Sequence, residues 1–214
     1  MGAGHVVLLG DSIFDNGAYA GGQPDVVAQA RDALPDGWRV TLLAVDGDVI
    51  DGVPRQLAGK PADATHLVVS VGGNDALGFA HLLAEPVTTV AEAVATLGAQ
   101  QGPFAAAYGA MLDAVLGAGL PVAVCTIYDT PSSAPHHAVI RSALALFNDC
   151  ITRAAFERGV DLIDLRLVCS EDADYANPIE PSSAGGRKIA RAITAWATEV
   201  ATESTAGHRS RIIL

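Results

Sequence analysis

The chain of 214 residues has few cysteines, few basic residues and no long apolar run, and each shortage excludes a class of protein. Its three cysteines, Cys125, Cys150 and Cys169, are odd in number and far apart, so their spacing indicates neither a disulfide framework nor a metal site. We expect them to be reduced, buried thiols of a cytosolic protein.

Basic residues are outnumbered, since 13 Lys and Arg stand against 24 Asp and Glu, and the net charge is −11. An acidic surface repels phosphate backbones and anionic lipid, so we expect neither nucleic-acid binding nor membrane binding. The apolar run HVVLLG at the start of the chain is too short for a secretory leader, and no other run is long enough to span a bilayer. We therefore expect a cytoplasmic protein that acts on a small molecule.

Half of the residues are hydrophobic, which suffices for one sizeable core. Apolar segments alternate along the chain with helical patterns, and this rhythm is typical of a parallel sheet covered on both faces. We expect a three-layer α/β/α sandwich of the flavodoxin-like type, with one domain over residues 1–204 and a loose tail over residues 205–214. The five predicted strands cover residues 5–10, 39–45, 66–71, 120–127 and 160–165.

Small, acidic or amide residues follow each of the first three predicted strands. These clusters are Asp11-Ser12, Asp46-Gly47-Asp48 and Gly72-Gly73-Asn74-Asp75. The carboxyl ends of parallel strands meet at one edge of the sheet, which is where such folds bind ligands. Ser12 is a candidate nucleophile there, and an Asn amide with glycine N–H groups can form an oxyanion hole.

The segments GDSIFDN, VDGD and GGNDA resemble the first three sequence blocks of the GDSL, or SGNH, hydrolase family of esterases and lipases. The resemblance implies the SGNH hydrolase fold and a Ser nucleophile at Ser12. It also implies an oxyanion hole made by the Ser12 N–H, the Gly47 N–H and the Asn74 side chain. Taken from the residues alone, Ser12 also suits a helix cap, Asn74 a bridge between loops and Gly47 a plain turn.

The last block departs from the family pattern. That pattern has an Asp and, three residues later, a His that activates the Ser, whereas this chain has Asn177 and Glu180 in the frame NPIEPS. An unperturbed Glu has a pKa of about 4.3 against about 6.5 for His, so Glu180 is the poorer base near neutral pH unless burial raises its pKa. Glu180 is therefore either an active-site residue or an exposed loop residue between two prolines.

Two histidines in the loop TPSSAPHH, His136 and His137, follow the fourth predicted strand on the same sheet edge. They are alternative bases, although we prefer to interpret them as an exposed loop pair ahead of a helix. His5 and His66 begin predicted strands and should lie at the opposite edge.

Two functions remain open. The first is a hydrolase that cleaves esters of a small acyl or acetyl group, with Ser12 as nucleophile, Gly47 and Asn74 as oxyanion donors, and Glu180 or a loop histidine as base. The second is a catalytically impaired protein that binds an acyl or sugar ligand in the same cleft. No cofactor is expected, because the sequence lacks a dinucleotide fingerprint and a phosphate-binding loop. A weaker hypothesis places a divalent cation among Asp11, Asp15, Asp48, Asp75 and Glu180.

Overall fold

The computed structural model describes residues 3–202 and 210–214. Its strands are β1 His5–Gly10, β2 Arg39–Leu42, β3 His66–Ser70, β4 Val122–Cys125, β5 Asp161–Ile163, β6 Tyr175–Asn177, β7 Glu180–Pro181 and β8 Ile212–Ile213. Its α-helices are α1 Val26–Ala33, α2 Val53–Ala58, α3 Gly73–Gly78, α4 Val90–Gly98, α5 Gln101–Leu116, α6 His137–Glu157, α7 Leu165–Val168 and α8 Ser183–Val200. Short 3-10 turns cover Ile50–Gly52, Ala80–Ala84 and Asp172–Asp174.

The main sheet has the strand order β2-β1-β3-β4-β5-β8, and all neighbouring strands run parallel. Successive side chains of a strand point to opposite faces. In β1, Val6 and Leu8 therefore enter the core layer under α1, α7 and α8, whereas Val7 and Leu9 enter the layer under α2, α5 and α6. Both faces are covered, so the predicted three-layer α/β/α sandwich is confirmed.

The prediction of five strands was wrong, because the sheet has a sixth. Ile212 and Ile213 of β8 pair with Leu162 and Ile163 of β5. A two-residue strand has too little pattern to be seen in the sequence. The predicted tail thus splits: residues 205–209 lie outside the described residues, and residues 210–214 extend the sheet.

A buried ion pair holds this added strand. The backbone N–H of Arg211 donates to Asp161 Oδ1 at 2.8 Å, and its guanidinium donates to Asp161 Oδ2 at 3.0 Å. Burial alone would raise the pKa of Asp161, but hydrogen bonds from Arg211 and Trp196 outweigh burial and hold this pKa below its ordinary value. The Asp161 carboxylate is therefore ionised beside the guanidinium of Arg211, and this ion pair stabilises the pairing of β8 with β5.

The carboxyl ends of β1, β2 and β3 lie at one edge of the main sheet. A small antiparallel hairpin, β6–β7, precedes α8, and Ser182 caps that helix by accepting from the N–H groups of Ala184 and Gly185. Among the described helices, none is both long enough and apolar enough to cross a membrane.

Candidate active site

Ser12 stands in a tight turn immediately after the central strand β1. Gly10 has φ +124°, and a Cβ there would collide with the Ser70 carbonyl of β3, so only glycine fits this close approach of two strands. The Asp11 carbonyl then accepts the N–H groups of Phe14 and Asp15, which turns the chain back on itself. Ser12 is thereby presented to a cavity beyond the strand end.

Gln56 ties this turn to the neighbouring loop, and the sequence analysis did not find it. Its side-chain amide exchanges two hydrogen bonds with the backbone of Gly10, both of 2.7 Å, as a neighbouring strand would. Its Nε2 also donates to Asp48 Oδ2 at 2.8 Å. A buried Gln is not distinctive in a helical sequence, so only the fold reveals this role.

Asn74 and Gly47 belong to two loops that are joined by one hydrogen bond. Asn74 Nδ2 donates to the Asp48 carbonyl at 2.8 Å, which fixes the loop of Gly47 against the start of α3. Gly47 has φ +78°, a conformation that favours glycine. Within the described residues, no hydrogen bond occupies the backbone N–H of Ser12 or of Gly47. The amide of Asn74 and these two N–H groups therefore remain candidates for an oxyanion hole.

The hairpin that carries Glu180 is held by its backbone. Asn177 Oδ1 accepts the N–H groups of Ile179 and Glu180 at 2.9 and 3.0 Å, while the Tyr128 hydroxyl donates to the Ile179 carbonyl at 2.9 Å. Asn16, which is fully buried, donates to the Pro181 carbonyl at 3.2 Å. Asn177 thus shapes the turn before Glu180, and Asn16 joins that turn to the loop after Ser12.

The Glu180 carboxyl is buried and only 5% exposed. Burial raises its pKa to about 7, the Ser12 hydroxyl beside it partly offsets this rise, and the charge of Asp46 adds to it. Ser12 and Glu180 line the same cavity. Glu180 Oε2 has no hydrogen-bond partner among the described residues. The structure thus places Glu180 at the site and not on an exposed loop.

A second carboxyl, that of Asp11, directly precedes Ser12, lines the same cavity and is 3% exposed. Burial raises its pKa to about 8, although the Ile13 N–H donates to Oδ1 at 3.1 Å and works against the shift. The charge of Glu180 raises the pKa of Asp11 further. At neutral pH Asp11 is therefore mainly protonated and adds little negative charge beside the serine.

The loop histidines have other contacts. His137 Nδ1 is 3.1 Å from Thr130 Oγ1, and His136 borders the cavity with φ +61°. In the described part of the chain, neither forms a hydrogen bond with Ser12, whose carboxyl neighbour is Glu180. His5 and His66 lie in the amino-terminal halves of β1 and β3, at the opposite edge of the sheet as expected.

Three of the five acidic side chains proposed to bind a cation accept hydrogen bonds from other groups of the protein. Asp15 accepts the Asp46 N–H at 3.0 Å, Asp75 accepts the Ile50 N–H at 3.1 Å, and Asp48 accepts from Gln56 and from Arg55. Over residues 3–202 and 210–214, no three His, Cys, Asp or Glu side chains are grouped so as to hold a metal ion.

Ser12, Asn74 and Glu180 all line one cavity of about 610 Å³, whereas Gly47 lies in the adjoining turn. The remaining walls are mainly apolar and come from α3, the following 3-10 turn and α6. They include Leu77, Phe79, Leu83, Ile140, Leu144 and Phe147. The site therefore combines a hydroxyl, an unpaired carboxyl and an amide with an apolar chamber.

The sequence matches the profile of a known family, the GDSL-like lipase/acylhydrolase family, over residues 8–188. This range includes the Ser12 turn, the loop that contains Gly47, the loop that contains Asn74 and the Glu180 hairpin. Among proteins of curated function, none matches the chain significantly.

Several solved structures share the fold at low sequence identity. The chain is similar to a phospholipase A1 from Streptomyces albidoflavus NA297, with a TM-score of 0.69 and 18% identity over 92% of this chain and 99% of that chain. It is also similar to an extracellular lipase from Streptomyces rimosus, with a TM-score of 0.64 and 20% identity over 87% and 96%. An acetylxylan esterase from Geobacillus stearothermophilus gives a TM-score of 0.62 and 18% identity over 94% and 96%.

Proposed function

The chain belongs to the GDSL-like lipase/acylhydrolase family, and we propose that it hydrolyses carboxylic esters with Ser12 as nucleophile and Glu180 as general base. The observation that carries this proposal is that Ser12 and the buried Glu180, whose pKa burial raises to about 7, line one cavity. A base is most effective when its pKa lies near the working pH. Burial thus gives Glu180 the proton affinity that an exposed Glu lacks and that a histidine has by nature.

In the proposed reaction, Ser12 Oγ attacks the ester carbonyl while its proton moves to Glu180. The developing oxyanion is stabilised by the N–H groups of Ser12 and Gly47 and by the amide of Asn74. Glu180 returns the proton to the departing alcohol, which leaves an acyl group on Ser12. A water molecule then gives a proton to Glu180 and attacks this acyl group. Glu180 returns that proton to Ser12 Oγ as the bond to the acyl group breaks, which releases the acid and restores both residues.

A carboxylate base and a histidine base need different neighbours, because they carry different charges after they take the proton. A histidine that takes the proton becomes a cation and is stabilised by a carboxylate partner. Glu180 becomes neutral when it takes the proton, so it needs no countercharge and no longer repels the oxyanion. This supports a role for Asn177 in shaping the backbone turn, where its carbonyl oxygen accepts two N–H groups.

The experiment is a comparison of wild type, Ser12→Ala and Ser142→Ala on p-nitrophenyl butanoate. Ser142 is exposed on α6 and its hydroxyl donates within the helix, so it is the matched control. We expect Ser12→Ala to lower kcat by at least about 10³-fold and Ser142→Ala to have no effect. Turnover that survives in Ser12→Ala would refute the nucleophile. A wild type without turnover would favour the ligand-binding alternative.

A further inference from the structure

We propose that the chamber beside Ser12 binds the apolar chain of a medium-chain acyl ester of an uncharged alcohol. This inference rests on the proposed function, and it names a longer acyl group than the acetyl or small acyl group expected from the sequence. Three properties of the chamber support it, namely its volume, the exposure of its walls and its charge.

The volume exceeds what a short acyl group needs. Sites of 300–1,000 Å³ commonly hold ligands of drug-like size, and this chamber of about 610 Å³ falls in that range. An acetyl group on Ser12 would leave most of the apolar wall in contact with water. A longer chain would cover Leu77 and Phe79 on one side and Ile140 and Leu144 on the other.

Large apolar side chains of this chamber are left exposed in the free protein. Leu77 is 47% exposed, Leu83 39%, Val139 50% and Ile179 47%, and all four line the chamber. Exposed apolar side chains that cluster in this way mark ligand sites, whereas scattered ones do not. Ile179 directly precedes Glu180, so the apolar surface is continuous with the catalytic groups.

The charge of the site limits the other half of the substrate. In the described part of the chain, the chamber lining contains no Lys or Arg, while Asp11 and Glu180 stand at its catalytic end. Asp46, on the neighbouring loop, accepts from the Tyr19 hydroxyl and already raises the pKa of Glu180. A phosphorylated or carboxylated leaving group would lie near the charges of Glu180 and Asp46, and no Lys or Arg of the lining would compensate them. An uncharged alcohol avoids this repulsion.

The chain-length test uses p-nitrophenyl acetate, butanoate and octanoate with wild type and two tryptophan variants. Ala143 lines the chamber on α6, so Ala143→Trp fills it, whereas Ala145 is exposed on the same helix and Ala145→Trp is the matched control. Each buried methylene should raise kcat/KM by about fourfold, so the four extra methylenes of octanoate should raise it by up to about 250-fold over butanoate in wild type. The ratio of kcat/KM for octanoate to that for butanoate should fall toward one in Ala143→Trp and stay at the wild-type value in Ala145→Trp.

A calorimetric titration with 1-octanol and with octanoate separates this inference from the proposed function, because it needs no turnover. We expect saturable binding of 1-octanol to wild type and to Ala145→Trp, at least tenfold weaker binding to Ala143→Trp, and weaker binding of octanoate than of 1-octanol. Octanol binding without ester turnover would support the chamber and refute the hydrolase. Ester turnover that is best with acetate, together with no octanol binding, would overturn the chamber and leave the hydrolase standing.

Discussion

The two halves of the site are held in opposite ways. On one half, the loops of Ser12, Gly47 and Asn74 are locked by side chains, as the amide of Gln56 shows with its three hydrogen bonds to Gly10 and Asp48. On the other half, the hairpin backbone is locked but the Glu180 carboxyl keeps one buried oxygen without a partner. The fold thus fixes the groups proposed to hold the substrate, whereas the carboxyl proposed as base keeps an oxygen without a hydrogen-bond partner among the described residues.

The largest effect should come from removing the titrating group. Glu180→Gln keeps the size of the side chain but cannot take a proton, so we expect kcat to fall by about 10²–10⁴-fold. In wild type, kcat/KM should rise with pH through about 7 as Glu180 loses its proton. A pH–rate profile of wild type, Glu180→Gln and the exposed control Glu157→Gln checks this. An unchanged profile in Glu180→Gln would reassign the base to another group.

The second-largest effect is expected on the half of the site that contains Ser12, Gly47 and Asn74. Asn74→Ala removes one oxyanion donor, and we expect kcat to fall by about 10²–10³-fold with little change in KM. Since Asn74 also holds the Asp48 carbonyl, the thermal unfolding of the variant must be measured beside its kinetics. A loss in KM alone would mean that the amide binds the substrate without stabilising the transition state.

The turn before Glu180 should show a smaller effect and discriminate two roles of Asn177. Asn177→Ala removes both acceptor contacts to the backbone, and we expect about 1 kcal/mol of lost stability and a kcat about tenfold lower. Asn177→Asp keeps an acceptor oxygen, so it should stay near wild type in kcat and in unfolding by urea. A kcat of Asn177→Asp well above that of wild type would instead indicate a catalytic partner missing from the natural chain.

The smallest effect on activity, but a distinct one on stability, is expected for Asp11→Asn. The folded pKa of Asp11 is raised to about 8, while its unfolded value is about 3.9. The unfolded chain therefore ionises first, and wild-type stability should fall as pH rises between these values, by up to about 1.4 kcal/mol per pH unit. Asp11→Asn removes this contribution, so its advantage over wild type should be small near pH 4 and grow toward pH 8 in urea unfolding. An advantage that does not grow with pH would contradict a buried, protonated Asp11.

Much of the framework was predictable from local patterns. The apolar runs at residues 5–10 and 66–71 predicted β1 and β3. The cluster Gly-Asp-Ser after an apolar run placed Ser12 at a strand end. These features depend on residues that are close together in the chain, so short segments of sequence suffice to predict them.

Other features depend on residues that are distant in the chain. Asn16 donates to Pro181, 165 positions away, and Gln56 bonds Gly10, 46 positions away. The pairing of β8 with β5 likewise has no local signal. Such contacts could not be read from the sequence, because nothing near either partner specifies the other.

The sequence alone indicated the family of the chain, the order of strands β1 to β5, and the chemical groups available at the sheet edge. Only the tertiary structure decided the surroundings of those groups. The pKa of Glu180 is a property of burial, and burial of this residue arises where the β6–β7 hairpin meets the end of β1. The chamber beside Ser12 exists only because residues of α3, the following 3-10 turn and α6, which are distant in the chain, line it together. Both depend on how water is excluded from a folded site, which no short segment of the chain encodes.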